Sequence, residues 1–294
     1  MGSRPVTLAT LRQETLSALL SLYSPEEASS LVRRLFHHFF PEWEKQWLLS
    51  RGEKEVPSSL LPLWKEAVHR LLAREPLAYV LGKTQFLSLE LLIQPGVFIP
   101  RPETEEWAIW VAEQIRTSPP RNILDIGTGS GALAIFMKKT FPSSDVYAID
   151  KSSLALHIAE KNAEKNEARI HLSKIDFGKE PFPSTWPAEW DLILSNPPYI
   201  PWSAYVETAP EVRLYEPPEA LFCEGLSPTI DILRFCKENL APAGMGVVEI
   251  FPSHALALQK ACGEIGISLV TVYRDSWDRE RWLVYDKRRM PSVR

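Results

Sequence analysis

Four consecutive residues, Asn196, Pro197, Pro198 and Tyr199, follow the apolar run Asp191 to Ser195 and bring polar, stiff and aromatic groups together. Neither proline donates a backbone hydrogen bond, and Pro198 biases Pro197 towards an extended conformation, so the segment is rigid and its carbonyls are free to accept. The side-chain oxygen of Asn196 and the carbonyl of Pro197 can each take one N–H of a planar NH2 group, with the Tyr199 ring against its flat face. A strand-ending turn explains Asn-Pro-Pro but not the aromatic residue that follows.

A second cluster, Asp125-Ile-Gly-Thr-Gly-Ser-Gly131, stands directly after a predicted strand and before a predicted helix. Gly127 and Gly129 permit a tight turn, Thr128 and Ser130 lie between the glycines, and Gly131 is expected to let ligand and helix approach the backbone. With Ala132 the run also satisfies the dinucleotide fingerprint, so the glycines alone leave a nicotinamide cofactor and another adenosyl cofactor open. Ser130 is no hydrolase nucleophile, because Gly-x-Ser-x-Gly does not occur around it. Asp150 ends the next strand, about 20 residues further on, where a carboxylate can take both hydroxyls of an adenosine ribose. Capping the next helix is its plainer role, but Ser152 or Ser153 can do that.

These residues need strands that end together. Apolar runs at Asn122 to Ile126, Val146 to Asp150, Asp191 to Ser195, Gly246 to Ile250, Ser268 to Tyr273 and Arg281 to Tyr285 read as strands. Between them, Ala132 to Lys139, Ser153 to Asn166, Thr229 to Asn239 and His254 to Gly263 read as helices. That alternation predicts an α/β fold with a doubly wound sheet, which binds ligands outside the carboxyl ends of its strands. Before it, residues 1–82 read as a small helical bundle. Leu8, Leu11, Leu16, Leu19 and Leu20 recur at helical spacing, Ser24-Pro25-Glu26-Glu27 opens a second helix, and Pro41 ends it. Helical stretches at Glu42 to Leu49 and Ser59 to Ala73 follow. The alternation of Leu89, Leu91 and Ile93 and the Pro95-Gly96 turn suggest a strand-containing linker over 83–100, leaving 101–294 as the catalytic domain.

At 294 residues, with 45% hydrophobic and 24% charged residues, the chain has enough apolar material for two cores and lacks the composition of a disordered protein. No apolar run is long enough to span a bilayer, and the start lacks the regions of a signal peptide, so a cytoplasmic location is expected. Cys223, Cys236 and Cys262 lack zinc-site spacing and read as reduced structural thiols; no metal is expected. A formal charge of -4 gives no footprint for duplex nucleic acid, and direct nucleic-acid binding is not expected.

The Asn-Pro-Pro-Tyr run resembles that of methyltransferases acting on planar nitrogen, adenine-N6 enzymes among them. Phe98-Ile-Pro-Arg-Pro-Glu-Thr-Glu105, Glu75-Pro-Leu-Ala-Tyr79, Gly82 and Glu211-Val-Arg-Leu-Tyr-Glu-Pro217 with Ala220-Leu221 narrow the match. Together they resemble the protein-(glutamine-N5) methyltransferases of class-1 peptide chain release factors, over about Glu75 to Arg281. The resemblance implies a Rossmann-like class I methyltransferase using S-adenosylmethionine and releasing S-adenosylhomocysteine. By position, Gly127 to Gly131 would enclose the methionine part of the cofactor and Asp150 its ribose. Phe177 would lie beside the adenine, where the family often has Trp, and Asn196 would serve cofactor and substrate. Asn196, Pro197 and Tyr199 would carry catalysis, while Phe98, Asn196, Pro197, Pro198 and Tyr199 would hold the glutamine of a release factor bound by the helical domain. Two differences stand out: Phe222-Cys223-Glu224-Gly225 is shorter than the family's glycine-paired loop, and Trp277 precedes Arg281 where glycine is common. Rival readings are an adenine-N6 or other nucleic-acid amine methyltransferase, and a non-catalytic adenosyl-binding adaptor.

Overall fold

A computed structural model describes residues 5–267 and 270–287. The chain divides into two compact units, Met1–Gly82 with Pro210–Tyr215, and Lys83–Ala209 with Glu216–Arg294.

The first unit is built from α1 (Leu8–Leu19), α2 (Pro25–Phe39), α3 (Trp43–Ser50), α4 (Leu61–Leu72) and α5 (Leu77–Leu81). Pro25 fixes the first turn of α2, and the Ser24 hydroxyl accepts from the Glu27 N–H at 3.3 Å, which satisfies one orphan donor of the helix start. Leu8, Leu19, Leu35, Phe36, Trp64 and Leu71 are buried, one stripe from each of three helices. Two polar side chains inside this core are paired: the Tyr23 hydroxyl donates to the Leu71 carbonyl at 2.8 Å, and the Trp64 ring N–H to the Thr15 hydroxyl at 3.0 Å. Pro210–Tyr215 joins the unit through Glu211, which accepts from Arg74 at 2.6 Å, and through Tyr215, whose hydroxyl donates to the Ala73 carbonyl at 2.6 Å.

The second unit opens with an antiparallel hairpin, β1 (Lys83–Phe86) and β2 (Leu89–Leu92). Its two strands fall within the strand-containing linker expected over 83–100, and they belong to the second unit. Phe86, Leu89 and Leu91 are buried in the same core as Trp107, Ile123 and Leu194, because alternate hairpin residues face inwards. After α6 (Pro102–Gln114) come β3 (Asn122–Ile126), α7 (Ala132–Thr140), β4 (Asp145–Asp150), α8 (Ser153–Lys165), β5 (His171–Lys174) and β6 (Trp190–Ser195). Then follow β7 (Ile200–Pro201), α9 (Pro210–Tyr215), which belongs to the first unit, α10 (Pro218–Leu221), β8 (Phe222–Cys223) and α11 (Ser227–Asn239). The last described elements are β9 (Leu240–Glu249), α12 (Ala255–Glu264), β10 (Val270–Arg274) and β11 (Glu280–Asp286).

Seven strands form one sheet in the order β10-β11-β9-β6-β3-β4-β5. β11 is antiparallel to both neighbours and the remaining pairs are parallel. Separate apolar cores fill the two faces, one around Trp107 and Val146, the other around Ile193 and Leu233. The doubly wound α/β sheet is therefore present, with β3 at the crossover where ligands bind. β5 has no apolar run to announce it: it is an edge strand with His171 and Lys174 exposed. β9 starts at Leu240 rather than Gly246 because an irregularity, in which Trp190 faces Leu240 and Leu192 faces Met245, admits extra chain. The first two positions of the strand expected from Ser268 lie outside the described residues. Among the described residues no helix is long and apolar enough to cross a membrane.

Candidate active site

The carboxyl ends of β3, β4 and β6 open onto a cavity of about 410 Å³. Its first wall is the turn after β3. Gly127, Gly129 and Gly131 have φ of 75°, 56° and 84°, in the left-handed region that side chains disfavour. The Gly127 and Thr128 N–H groups both donate to the Ile149 carbonyl at 2.9 Å, which stitches the turn to the end of β4. A Cβ on Gly127 or Gly129 would meet nothing within 4 Å, so that side of the turn is open to a ligand. Gly131 meets the helix half of its expected role. A Cβ there would come within 3.1 Å of Ala159 and Ile135, so its bareness serves the packing of α7 on α8. Thr128 and Ser130 line the cavity, and the Thr128 hydroxyl donates to Asp125 Oδ2 at 2.7 Å. Burial pushes the Asp125 carboxyl up to about 7, against the lowering effect of that bond.

Asn162, buried on α8, was not foreseen from sequence. Its amide nitrogen donates to the Ser130 carbonyl at 2.9 Å and the Leu92 carbonyl at 3.0 Å, while its oxygen accepts from the Leu92 N–H at 2.6 Å. One side chain thus ties the glycine turn to the hairpin.

Asp150 Oδ2 accepts from the Gly129 N–H at 2.9 Å and Oδ1 from the Ser152 N–H at 2.8 Å. Each oxygen keeps a lone pair for a further donor. Burial raises the Asp150 pKa, opposed by these two N–H groups. Ser152 caps α8 by accepting from Ala155 at 3.2 Å, which frees Asp150 from that task. Phe177 also lines the cavity, edge-on to Phe235 at 5.4 Å between centroids. Open glycines, a carboxylate on the adjacent strand end and an apolar ring beyond it fit an adenosyl ligand.

Phe98, Asn196, Pro197 and Pro198 line the same cavity. Ser195 fixes the end of β6 by donating its hydroxyl to the Ile126 carbonyl at 2.7 Å. Tyr199 turns its hydroxyl inwards, onto Glu249 Oε1 at 2.8 Å, with its ring partly exposed. Directly after it, Ile200 and Pro201 pair with Phe222 and Cys223, so the loop that is short by comparison with the family braces this segment.

Glu249, at the end of β9, is fully buried and collects three donors. Oε2 accepts from the Thr104 hydroxyl at 2.6 Å and the Trp107 ring N–H at 2.8 Å, and Oε1 accepts from Tyr199. Asn196 Nδ2 in turn donates to Thr104 Oγ1 at 3.1 Å. Burial raises the pKa of both Glu249 and Tyr199. Glu249 and Trp107 have no role in the sequence reading and Thr104 stands there only within the Phe98 to Glu105 run; the available signal is a lone carboxylate in the apolar run Gly246 to Ile250. Glu216, within the Glu211 to Pro217 run, is buried and accepts from the Ile99 N–H at 3.2 Å and from Arg101, whose guanidinium lies 4.8 Å from the Phe98 centroid. Arg101, the residue just before α6, is committed to this pair. Among the described residues no group of three or more His, Cys, Asp or Glu stands where it could hold a metal ion.

The seven-stranded sheet with its one antiparallel strand and the glycine turn facing an acidic strand end define a class I S-adenosylmethionine-dependent methyltransferase. In accord, the N-terminal domain of human METTL16 in complex with SAH has the same fold, with a TM-score of 0.52 at 17% identity over 81% of this chain and 86% of that one. Residues 88–212 match the Methyltransferase small domain and residues 10–82 the PrmC N-terminal domain. The chain is 36% identical to the release factor glutamine methyltransferase of Geobacter sulfurreducens over 70% of its own length and 76% of the relative's. It is 37% identical to that of Flavobacterium psychrophilum over 81% and 85%, and 35% identical to the human MTRF1L release factor glutamine methyltransferase over 78% and 72%. The chain belongs to the release factor glutamine methyltransferase family.

Proposed function

We propose that this enzyme transfers a methyl group from S-adenosylmethionine to the side-chain amide nitrogen of a glutamine in class-1 peptide chain release factors. The observation that carries the reading is that Asn196, Pro197 and Pro198 share one cavity with the Gly127 to Ser130 turn and Asp150. When bound, the cofactor supplies a sulfonium-activated methyl group and leaves as a neutral thioether. Gly127, Thr128, Gly129 and Ser130 hold its amino-acid end, Asp150 its ribose, and Phe177 its adenine.

An amide nitrogen is a poor nucleophile, because its lone pair is delocalised into the carbonyl. Asn196 Oδ1 and the Pro197 carbonyl take its two N–H groups, aim what remains of the lone pair and stabilise the positive charge that develops on nitrogen. Phe98, Pro198 and the Tyr199 ring confine the flat group. The nitrogen becomes acidic as it is alkylated, so it sheds its proton without a dedicated strong base, and no metal enters the reaction. The helical unit recognises the protein that carries the glutamine. Its presence argues for an intact release factor rather than free glutamine as substrate. The reading implies a cytoplasmic enzyme with no need to bind nucleic acid.

The test is incubation with methyl-labelled S-adenosylmethionine and separated release factor, ribosome and DNA fractions, followed by mass spectrometry. Label on one glutamine amide of the release factor is expected. Label confined to ribosomal RNA or DNA would overturn the substrate assignment.

A further inference from the structure

The amide of Asn196 can face the cavity with either its oxygen or its nitrogen, and only the oxygen accepts an N–H from a target. The two orientations have the same shape, so packing alone does not choose between them. The choice is made two residues away. The Trp107 ring N–H only donates, and it points at Glu249 Oε2 from 2.8 Å. Three donors converge on the two oxygens of this carboxyl, which favours its ionised form, and in that form Oε2 only accepts. An acceptor at Oε2 takes the single hydroxyl proton of Thr104 at 2.6 Å. Thr104 then has only lone pairs to offer Asn196, whose Nδ2 donates to it at 3.1 Å. With its nitrogen occupied inwards, Asn196 presents its oxygen to the cavity that it lines.

We propose that Glu249 is a positioning residue, which through the Thr104 hydroxyl locks the Asn196 amide oxygen-outwards and so restricts the site to targets that present N–H donors. An amide meets two acceptors there, whereas a carboxylate such as glutamate is repelled by both. The node also steadies the far end of the segment, since Tyr199 donates to the second oxygen of the same carboxylate. The inference rests on the reading that Asn196 accepts the target N–H.

Single-turnover methyl transfer to an intact release factor tests it, with S-adenosylhomocysteine affinity measured by calorimetry on each variant. Thr104→Val keeps the side-chain shape but lets the Asn196 amide turn over. Its rate should fall about 10- to 100-fold, by analogy with groups that orient metal ligands, while S-adenosylhomocysteine affinity holds. Thr104→Ser, which keeps the hydroxyl, should recover most of that loss. Glu249→Gln can still set an oxygen towards Trp107 and Thr104 and an NH2 towards Tyr199, so it should retain most of the rate.

The discriminating pair is made in the Asn196→Asp background. A carboxylate has an oxygen on both sides and needs no orienting, so adding Thr104→Val there should cost nothing further, a result that a merely structural Thr104 would not give. An equal loss in both backgrounds, or wild-type transfer by Thr104→Val, overturns the proposal, as does a Glu249→Gln rate as low as that of Asn196→Ala. If Thr104→Val does not fold, Thr104→Ala in the same two backgrounds takes its place, with the same outcomes deciding. Should the wild-type enzyme leave the release factor unmethylated, the functional reading fails instead, which separates the two outcomes.

Discussion

The Arg101 guanidinium pairs with Glu216, a carboxylate with only 1% of its side-chain surface exposed, while lying over the Phe98 ring. A buried carboxylate that loses its cation pays the full cost of its own desolvation. Arg101→Met leaves Glu216 only the Ile99 N–H, and should lower unfolding stability by about 3 kcal/mol. Arg101→Met combined with Glu216→Met should be much less harmful than the sum of its parts. Denaturant unfolding of the four proteins checks this, and additive losses would show that the two side chains act independently.

Asn196→Ala removes one acceptor for the target amide and leaves the glycine turn and Asp150 intact. Single-turnover transfer should slow by about 10² to 10³, as when one preorganised transition-state hydrogen bond is deleted. Cofactor affinity, read by calorimetry, should fall only modestly. A variant that transfers at the wild-type rate would mean that other groups hold the nitrogen.

Much of this arrangement is legible in the sequence, and the pattern of what is not legible is physical. β3 is bounded at Asn122–Ile126 as its apolar run indicates, and the glycines after it need φ values that few other residues tolerate. Asn196 to Pro198 and Phe98 announce themselves through residue type, although distant in the chain. Glu249, Thr104 and Asn162 do not, because their meaning lies in partners 145 and 70 residues away that no local spacing encodes. Gly131 is legible as a place where a helix comes close to the backbone, although only the α7–α8 contact shows which atoms a Cβ would strike. The hairpin was visible as alternation, yet its burial in the catalytic core depends on the tertiary contact with α6 and β3.

Asp125 should leave a mark on the pH dependence of stability. Its folded pKa, about 7, lies above its ordinary value of 3.8, so between these values the folded state binds the extra proton. The group's contribution is fully present below about 3.8 and is lost as pH rises through about 7. In Asp125→Asn this contribution is absent. Across pH 5 to 8, about the span bracketing that transition, the stability of wild type relative to Asp125→Asn should therefore decline. Parallel melting curves at every pH would show that Asp125 ionises as it does in the unfolded chain.

Asn162→Ala should loosen the glycine turn from outside the cavity. It strips partners from the Leu92 N–H and from the carbonyls of Leu92 and Ser130. Each buried group left unsatisfied costs about 1–3 kcal/mol, less where water enters, so a loss of at least about 2 kcal/mol is expected. S-adenosylhomocysteine affinity should weaken with it, although Asn162 does not line the cavity. Stability lost with affinity unchanged would mean that the turn holds its shape without this bridge.

The membership of Pro210–Tyr215 in the helical unit bears on how the protein can be taken apart. The chain passes between units after Gly82, after Ala209 and again after Tyr215, so a cut at Gly82 yields no self-contained half. A fragment beginning at Lys83 would display an orphan hexapeptide, and the complementary fragment would lack the carboxylate that Arg74 holds and the hydroxyl that rests on Ala73. A chimera that borrows the bundle of a relative must therefore transplant two stretches of chain, and a graft that moves the first alone would pair a foreign scaffold with a native splint.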